Sequence, residues 1–223
     1  MSVATPEPSR AAGLRRLYAF SGSAGRRYAK SRNFDFGPDR RNNVSMLSPF
    51  VRHRLVLESE LLDAILRQHS LAEAGKFVEE VFWRGYFKGW LEQHPAVWDD
   101  YRGAVSQQLR VLESDTTLLE KYSTAIYGRT GIDCFDAWAT ELVDTGYLHN
   151  NTRMWFASIW VYTQGLPRQL GADLFNRHLL DGDPPSNTLS WRWVCGLHTR
   201  GKTYLGRVSN IATYTDNRFC PEG

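Results

Sequence analysis

Ser70-Leu-Ala-Glu-Ala-Gly-Lys-Phe-Val-Glu-Glu-Val-Phe-Trp-Arg-Gly-Tyr-Phe-Lys-Gly-Trp-Leu-Glu-Gln93 reads as one long helix. Ser70-Leu-Ala-Glu73 has the form of a capping box, in which the serine hydroxyl and the glutamate each satisfy a free N–H of the first turn. Phe77, Val78, Val81, Phe82, Tyr86, Trp90 and Leu91 recur at helical spacing on one face, and the run stops at Pro95. Working outward, Val56, Leu57, Leu61, Leu62, Ile65 and Leu66 form a similar stripe upstream. Downstream, helices are predicted near 117–127, 133–145, 152–165 and 171–180, with Gly128, Gly131, Gly146, Gly165, Gly171 and Gly182 between them or at their ends. Nothing alternates with period two for long enough to be a strand. The predicted fold class is all-α.

At 223 residues, with 42% hydrophobic and 23% charged side chains, the chain has the composition of one ordinary folded domain. Residues 1–25 read as a basic leader, disordered over its Ala/Pro/Ser-rich first part, and 26–223 as the domain. Cys134, Cys195 and Cys220 are odd in number and widely spaced, without a disulfide framework or a zinc pattern. The N-terminus lacks the apolar core of a signal peptide, and no apolar run approaches the ~20 residues that span a bilayer. These features lead to the expectation of a soluble, cytoplasmic, monomeric protein that touches no membrane. The net charge of +3 hides an asymmetry. Residues 1–54 carry eleven Lys/Arg against Glu7, Asp35 and Asp39, a net +8, while the rest is −5. A basic third rich in arginine fits a polyanion partner, and a solvated basic leader explains the charge equally well.

Four clusters carry chemistry. In Val44-Ser45-Met46-Leu47-Ser48-Pro49, Ser48 and Pro49 look like an N-cap and first helical residue, an ordinary cap or an anion site. In Glu80-Val-Phe-Trp83-Arg84, the acid and the base sit four apart, where an i, i+4 pair explains them, and Trp83 adds a flat stacking surface. Gly146-Tyr-Leu-His149-Asn150-Asn151-Thr152-Arg153-Met154 is a polar run before an apolar helix, the bland reading being a capped helix start. Asp181-Gly-Asp183-Pro-Pro-Ser186-Asn187, followed by Trp191-Arg-Trp193, reads as a stiffened loop leading to two tryptophans. Its Asp-Gly-Asp lacks the calcium-loop spacing and final Glu, and the six histidines show no ligand spacing, so no metal is expected.

Taken in order, the four clusters resemble the FAD-binding domain of the photolyase/cryptochrome family, from about Tyr28 to Phe219. Ser45-Met-Leu-Ser48-Pro49 is similar to Thr-Ser-Arg-Leu-Ser-Pro, Glu80 through Arg84 to Glu-Leu-Ile-Trp-Arg, Thr145 through Met154 to Thr-Gly-Trp-Met-His-Asn-Arg-Leu-Arg-Met, and Asp181 through Trp193 to the family's Asp-Gly-Asp, Asn and Trp-Gln-Trp. The resemblance implies a helical FAD domain without the N-terminal α/β antenna domain. Tyr28, Ser45, Met46, Leu47, Ser48, Phe77 and Arg84 would surround the FAD phosphates and ribityl chain. Arg153, Asp181, Asp183 and Asn187 would line the isoalloxazine. It further implies a deoxyribodipyrimidine photo-lyase acting on UV-damaged DNA, with Glu80, Trp83, Asn150, Met154 and Trp193 around a flipped cyclobutane pyrimidine dimer. A cryptochrome-like flavin photoreceptor without repair activity, and a helical DNA-binding module without flavin, remain as alternatives.

Several positions depart from the family pattern. Gly85 replaces an acid, Asn151 an arginine that supports DNA binding, and Met46 an arginine. Trp191 matches the first of three tryptophans that pass electrons to the flavin, but the second position falls on Arg168 and no third is found. Slow photoreduction is therefore expected, with repair that depends on chemical pre-reduction. The helix 153–164 holds Trp155, Trp160 and Tyr162, of which 155 and 162 share a face and offer a substitute path; buried aromatic packing is the commoner reading of such a helix.

Overall fold

The computed structural model describes residues 6–199 and 201–221, and the described residues contain helices and no strand. The order is α1 Arg10–Ser21, α2 Arg26–Ser31, a 3-10 turn Pro38–Arg40, α3 Ser48–Arg52, α4 Glu58–Leu66, α5 Leu71–Gln93 and α6 Pro95–Ser114. There follow α7 Thr116–Ile126, α8 Asp133–Thr145, α9 Asn150–Ser158 with a π turn Ile159–Thr163, α10 Arg168–His178, α11 Pro184–Val194 and α12 Val208–Tyr214. The expected capping box opens α5: Ser70 Oγ accepts from the Glu73 N–H at 3.4 Å, and the Glu73 carboxylate accepts from the Ser70 N–H at 3.4 Å.

The helices bury two apolar clusters. One holds Leu17, Phe20, Phe50, Ile65 and Phe77; the other holds Trp138, Trp155, Phe156, Trp160, Phe175 and Trp191. Burying a large apolar side chain contributes roughly 1.5–3 kcal/mol, and these fully buried rings concentrate that gain. Helix α5 joins the halves, packing on α2 and α4 at one side and on α6 and α11 at the other.

Several expectations are corrected. Residues 10–21, assigned to the leader, form α1, whose Leu17 and Phe20 enter the first cluster. The first five residues of that leader lie outside the described residues. Only Phe77, Val78 and Leu91 of the α5 face are buried, while Phe82 and Tyr86 are exposed. Pro95 does more than stop α5: as the first residue of α6 its missing N–H costs nothing, and it starts a 20-residue helix absent from the sequence reading. The expected loop after Asp183 is a helix for the same reason, with Pro184-Pro185 at its start and the Asp183 carboxylate accepting from the Ser186 N–H at 3.2 Å. The helix predicted over 152–165 widens into a π turn after Ser158.

Candidate flavin site

Between the two clusters lies a cavity of about 290 Å³, walled by α5, α9, α10, α11 and the segment entering α3. It brings together Tyr28, Ser45, Leu47, Ser48, Phe77, Glu80, Trp83 and Arg84 from the first half of the chain. Asn150, Arg153, Met154, Asp181, Asp183, Asn187 and Trp191 come from the second. Met46 lines a smaller adjoining cavity of about 140 Å³ that shares Ser45, Ser48 and Glu80. Trp193 is not brought in: it is 45% exposed and packs on Tyr204 with ring centres 5.0 Å apart.

The pairings differ from those read in sequence. Glu80 and Arg84 do not pair with each other. Glu80 is bound by Arg32, and Arg84 reaches Asp183 at 3.4 Å. Leu47, not Ser48, is the N-cap of α3, so Ser48 is its first helical residue. Met46 adopts φ +51°, a left-handed backbone unusual for a residue with a side chain, at the bend that aims Ser45 to Ser48 at the cavity. Arg153 forms a two-pronged pair with Asp181, at 3.2 and 3.0 Å, while its Nε donates to the Leu148 carbonyl. Burial acts most strongly on Asp181 and opposes its charge. The Arg153 charge and hydrogen bonds, with Ser48 and Arg84, overcome that and hold the carboxyl below its ordinary value. Asn187 donates from Nδ2 to the Ala172 carbonyl at 2.7 Å, which leaves its amide oxygen as the acceptor available to the cavity.

Two features escaped the sequence reading. Tyr147 lines the cavity with Arg41 and Arg153 over its ring, 4.7 and 5.6 Å from the ring centre. Asn176 also lines it, with a buried amide oxygen that no described residue satisfies. The basic first third is largely engaged internally. Arg10, Arg26, Arg32, Arg41 and Arg54 pair with Glu60, Glu73, Glu80, Glu141 and Glu58 respectively, all beyond the segment that carries the excess charge. Of the two readings of the aromatic residues after Arg153, core packing describes Trp155 and Trp160, which are buried. Trp155 stacks on Trp138, Tyr162 donates to the Val194 carbonyl, and Trp160 alone meets Trp191.

Apolar walls from Phe77, Met154 and Phe175, the guanidinium groups of Arg84 and Arg153, and the hydroxyls of Ser45 and Ser48 suit one kind of guest. That guest is a flat heterocycle with polar edges and an anionic tail, the description of a flavin dinucleotide. Fold and site thus define a helical flavin-binding domain. A family model described as the FAD binding domain of DNA photolyase matches residues 77–222, and the chain belongs to that family. The deoxyribodipyrimidine photo-lyase of Streptomyces griseus is 32% identical over 168 residues, 75% of this chain and 35% of that protein. That of Neurospora crassa is 26% identical over 219 residues, 94% of this chain and 34% of that protein. The chain therefore spans about a third of the length of these relatives. Among solved structures, a class III photolyase from Agrobacterium tumefaciens superposes with a TM-score of 0.76 at 22% identity, over 94% of this chain and 43% of that one. A Synechocystis cryptochrome gives 0.74 at 21%, over 96% and 45%. FAD is the cofactor of this domain. Among the described residues no helix is long and apolar enough to cross a membrane.

Proposed function

We propose that this chain repairs UV-damaged DNA, splitting cyclobutane pyrimidine dimers by a light-driven electron loan from reduced FAD. The observation that carries the reading is the composition of the cavity lining: Glu80 and Trp83 from α5 share it with Asn150 and Met154 from α9, and with Arg153 and Asp181. Bound, reduced FAD supplies one electron on excitation and takes it back once the dimer has opened. The chain's own residues do the rest. Trp83, half-exposed at the rim, offers a face for a flipped pyrimidine, and flipping costs least for a lesion that already stacks and pairs badly. Glu80, fixed by Arg32, accepts from a pyrimidine N–H, while the Asn150 amide can donate to a carbonyl. Arg153 sets a positive charge beside an anionic ring, and Asn187 presents an acceptor to a protonated ring nitrogen. Tyr28, Phe77 and Arg84, with Ser45 through Ser48, are assigned to the phosphates and ribityl chain. The protein is expected to work in the cytoplasm as a monomer.

Irradiating the reduced protein with a thymine-dimer oligonucleotide under blue light, and counting repaired strands, tests this. Repair in light and none in darkness is expected; protein that holds reduced FAD and repairs nothing overturns it. One observation favours a second reading, a cryptochrome-like photoreceptor: Trp193, paired with Trp83 around the lesion by the resemblance, does not line the cavity and packs on Tyr204. That reading expects light-driven flavin bleaching with no strand repaired.

A further inference from the structure

We infer that Trp191, Trp160 and Tyr122 form a path that carries one electron from Tyr122 on α7 through the core into the cavity. The inference rests on FAD occupying the cavity, not on repair. Trp191 lines the wall, and its ring centre is 6.4 Å from that of Trp160. Trp160 is in turn 6.0 Å from Tyr122, both contacts being edge to face. Electron tunnelling falls steeply with the gap between rings, so two touching steps outrun one long one. Among the described residues, the other ring packed on Trp191 is Phe175, and a phenyl ring is too hard to oxidise to serve as a station.

Two backbone features hold these rings together. A Cβ on Gly171 would lie 2.3 Å from the Trp191 ring and 2.9 Å from that of Trp160, so only glycine leaves room where they meet. Glycine inside a helix such as α10 costs roughly 1 kcal/mol relative to alanine, which makes its presence there informative. Trp160 itself sits in the π turn Ile159–Thr163, a rare helical variant that frequently marks functional sites.

Proton chemistry gives the path its direction. The buried Trp191 Nε1 has no hydrogen-bond partner among the described residues, and Trp160 Nε1 donates to the Pro167 carbonyl at 3.0 Å. Neither contact offers a base, so an oxidised indole at either place keeps its proton and passes the charge on. Tyr122 ends the run: it is 8% exposed, and its hydroxyl oxygen accepts from Arg177 at 3.0 Å. In sequence, Trp191 gives one electron to the light-excited oxidised flavin, Trp160 refills Trp191, and Tyr122 refills Trp160. Tyr122 loses its phenolic proton to water and becomes a neutral phenoxyl radical. A thiol in solution then returns one electron and one proton to Tyr122, itself becoming a thiyl radical.

The test uses the protein loaded with oxidised FAD, with flavin content checked first by absorbance so that failure of the cofactor reading is seen separately. Under blue light without thiol, a tyrosyl electron paramagnetic resonance signal is expected in the wild type and its loss in Tyr122→Phe. With thiol, flavin bleaching slows in Tyr122→Phe and in Gly171→Ala and is unchanged in Trp155→Phe. Because Gly171→Ala disturbs packing, Tyr122→Phe, which removes only a hydroxyl, carries the decision. In flavin-free protein, an ultraviolet flash that oxidises tryptophans should produce a growing tyrosyl absorbance that Tyr122→Phe diminishes. A tyrosyl signal and bleaching rate that both persist in Tyr122→Phe overturn the path.

Discussion

Asp35 and Arg218 stand 183 positions apart in the chain, yet Arg218 Nη2 lies 2.8 Å from Asp35 Oδ2, whose side chain is fully buried. The same carboxylate accepts from Thr152 Oγ1 at 2.8 Å and from the Gly37 N–H at 3.0 Å, and Arg41 lies between it and Glu141. The loop before α3, α8, α9 and the C-terminal segment are thus tied at one point behind the cavity. Asp35→Asn puts an amide donor among donors and leaves buried arginine charge uncompensated. Such losses cost about 3–5 kcal/mol, so urea unfolding should show a large drop in midpoint. A change below roughly 1 kcal/mol would mean that the cluster adds nothing beyond its packing.

His149 makes stability depend on pH. Its Nδ1 accepts from the Asn151 N–H at 3.2 Å, capping α9, and its Nε2 donates to the Arg32 carbonyl, so the ring is neutral. Burial, with Arg41 and Arg153 adding to it against Asp35, lowers its pKa from 6.5 to about 4. As pH falls, the unfolded chain therefore takes the proton first. The stability tied to this group is whole above about 6.5, drains as pH falls towards about 4, and changes no further below. At 1.36 kcal/mol for each unit of pKa, the loss is at most about 3 kcal/mol. His149→Asn keeps a capping side chain without a titrating ring, and its stability should be flatter over that window. A profile as steep as the wild type's would assign the effect to other groups.

Much of the fold could be read from the chain because periodicity and caps are local signals, as the Ser70 box and α5 illustrate. The losses came where one residue carries two meanings. Pro95 ends α5 and begins α6, whose Trp98, Tyr101, Val105 and Leu112 do repeat at helical spacing. Asp183-Pro184-Pro185 looks like a turn but is a cap followed by the residues best tolerated in a first helical turn. The helix also separates two neighbours: two positions apart, Trp191 and Trp193 point to nearly opposite sides, so one is buried and the other exposed. The cavity residues were legible only as motifs in order. Their pairings, Glu80 with Arg32 and Arg84 with Asp183, join segments 48 and 99 positions apart, which no local pattern records.

Arg153 offers the most direct test of cofactor binding. Besides pairing with Asp181, it lies over the Tyr147 ring, so its loss removes a charge from the cavity and takes the two-pronged partner from a buried carboxylate. Truncating one member of a buried, hydrogen-bonded charge pair at a binding site costs roughly 2–5 kcal/mol. Arg153→Ala should weaken FAD retention by at least about tenfold in equilibrium dialysis, each 1.4 kcal/mol being a factor of ten. Arg153→Lys, which keeps the charge but not the two-pronged geometry, should fall between. Unchanged retention in both variants would remove the pair from the cofactor site.

The two tryptophans assigned to the lesion should not behave alike. Trp83 lines the cavity and touches Phe87, their ring centres 5.6 Å apart, whereas Trp193 faces away onto Tyr204. Stacking of a base on one aromatic ring is worth about 1–3 kcal/mol. Trp83→Ala should therefore weaken binding of a thymine-dimer oligonucleotide about ten- to a hundredfold while FAD stays bound. Trp193→Ala should change it far less, because in this arrangement its ring reaches the cavity only if α11 rotates. Fluorescence anisotropy with dimer-containing and undamaged strands separates the cases. Equal losses in the two variants would mean that Trp193 swings inward on binding DNA; loss of FAD from Trp83→Ala would make Trp83 a wall of the cofactor site and not a platform for the lesion.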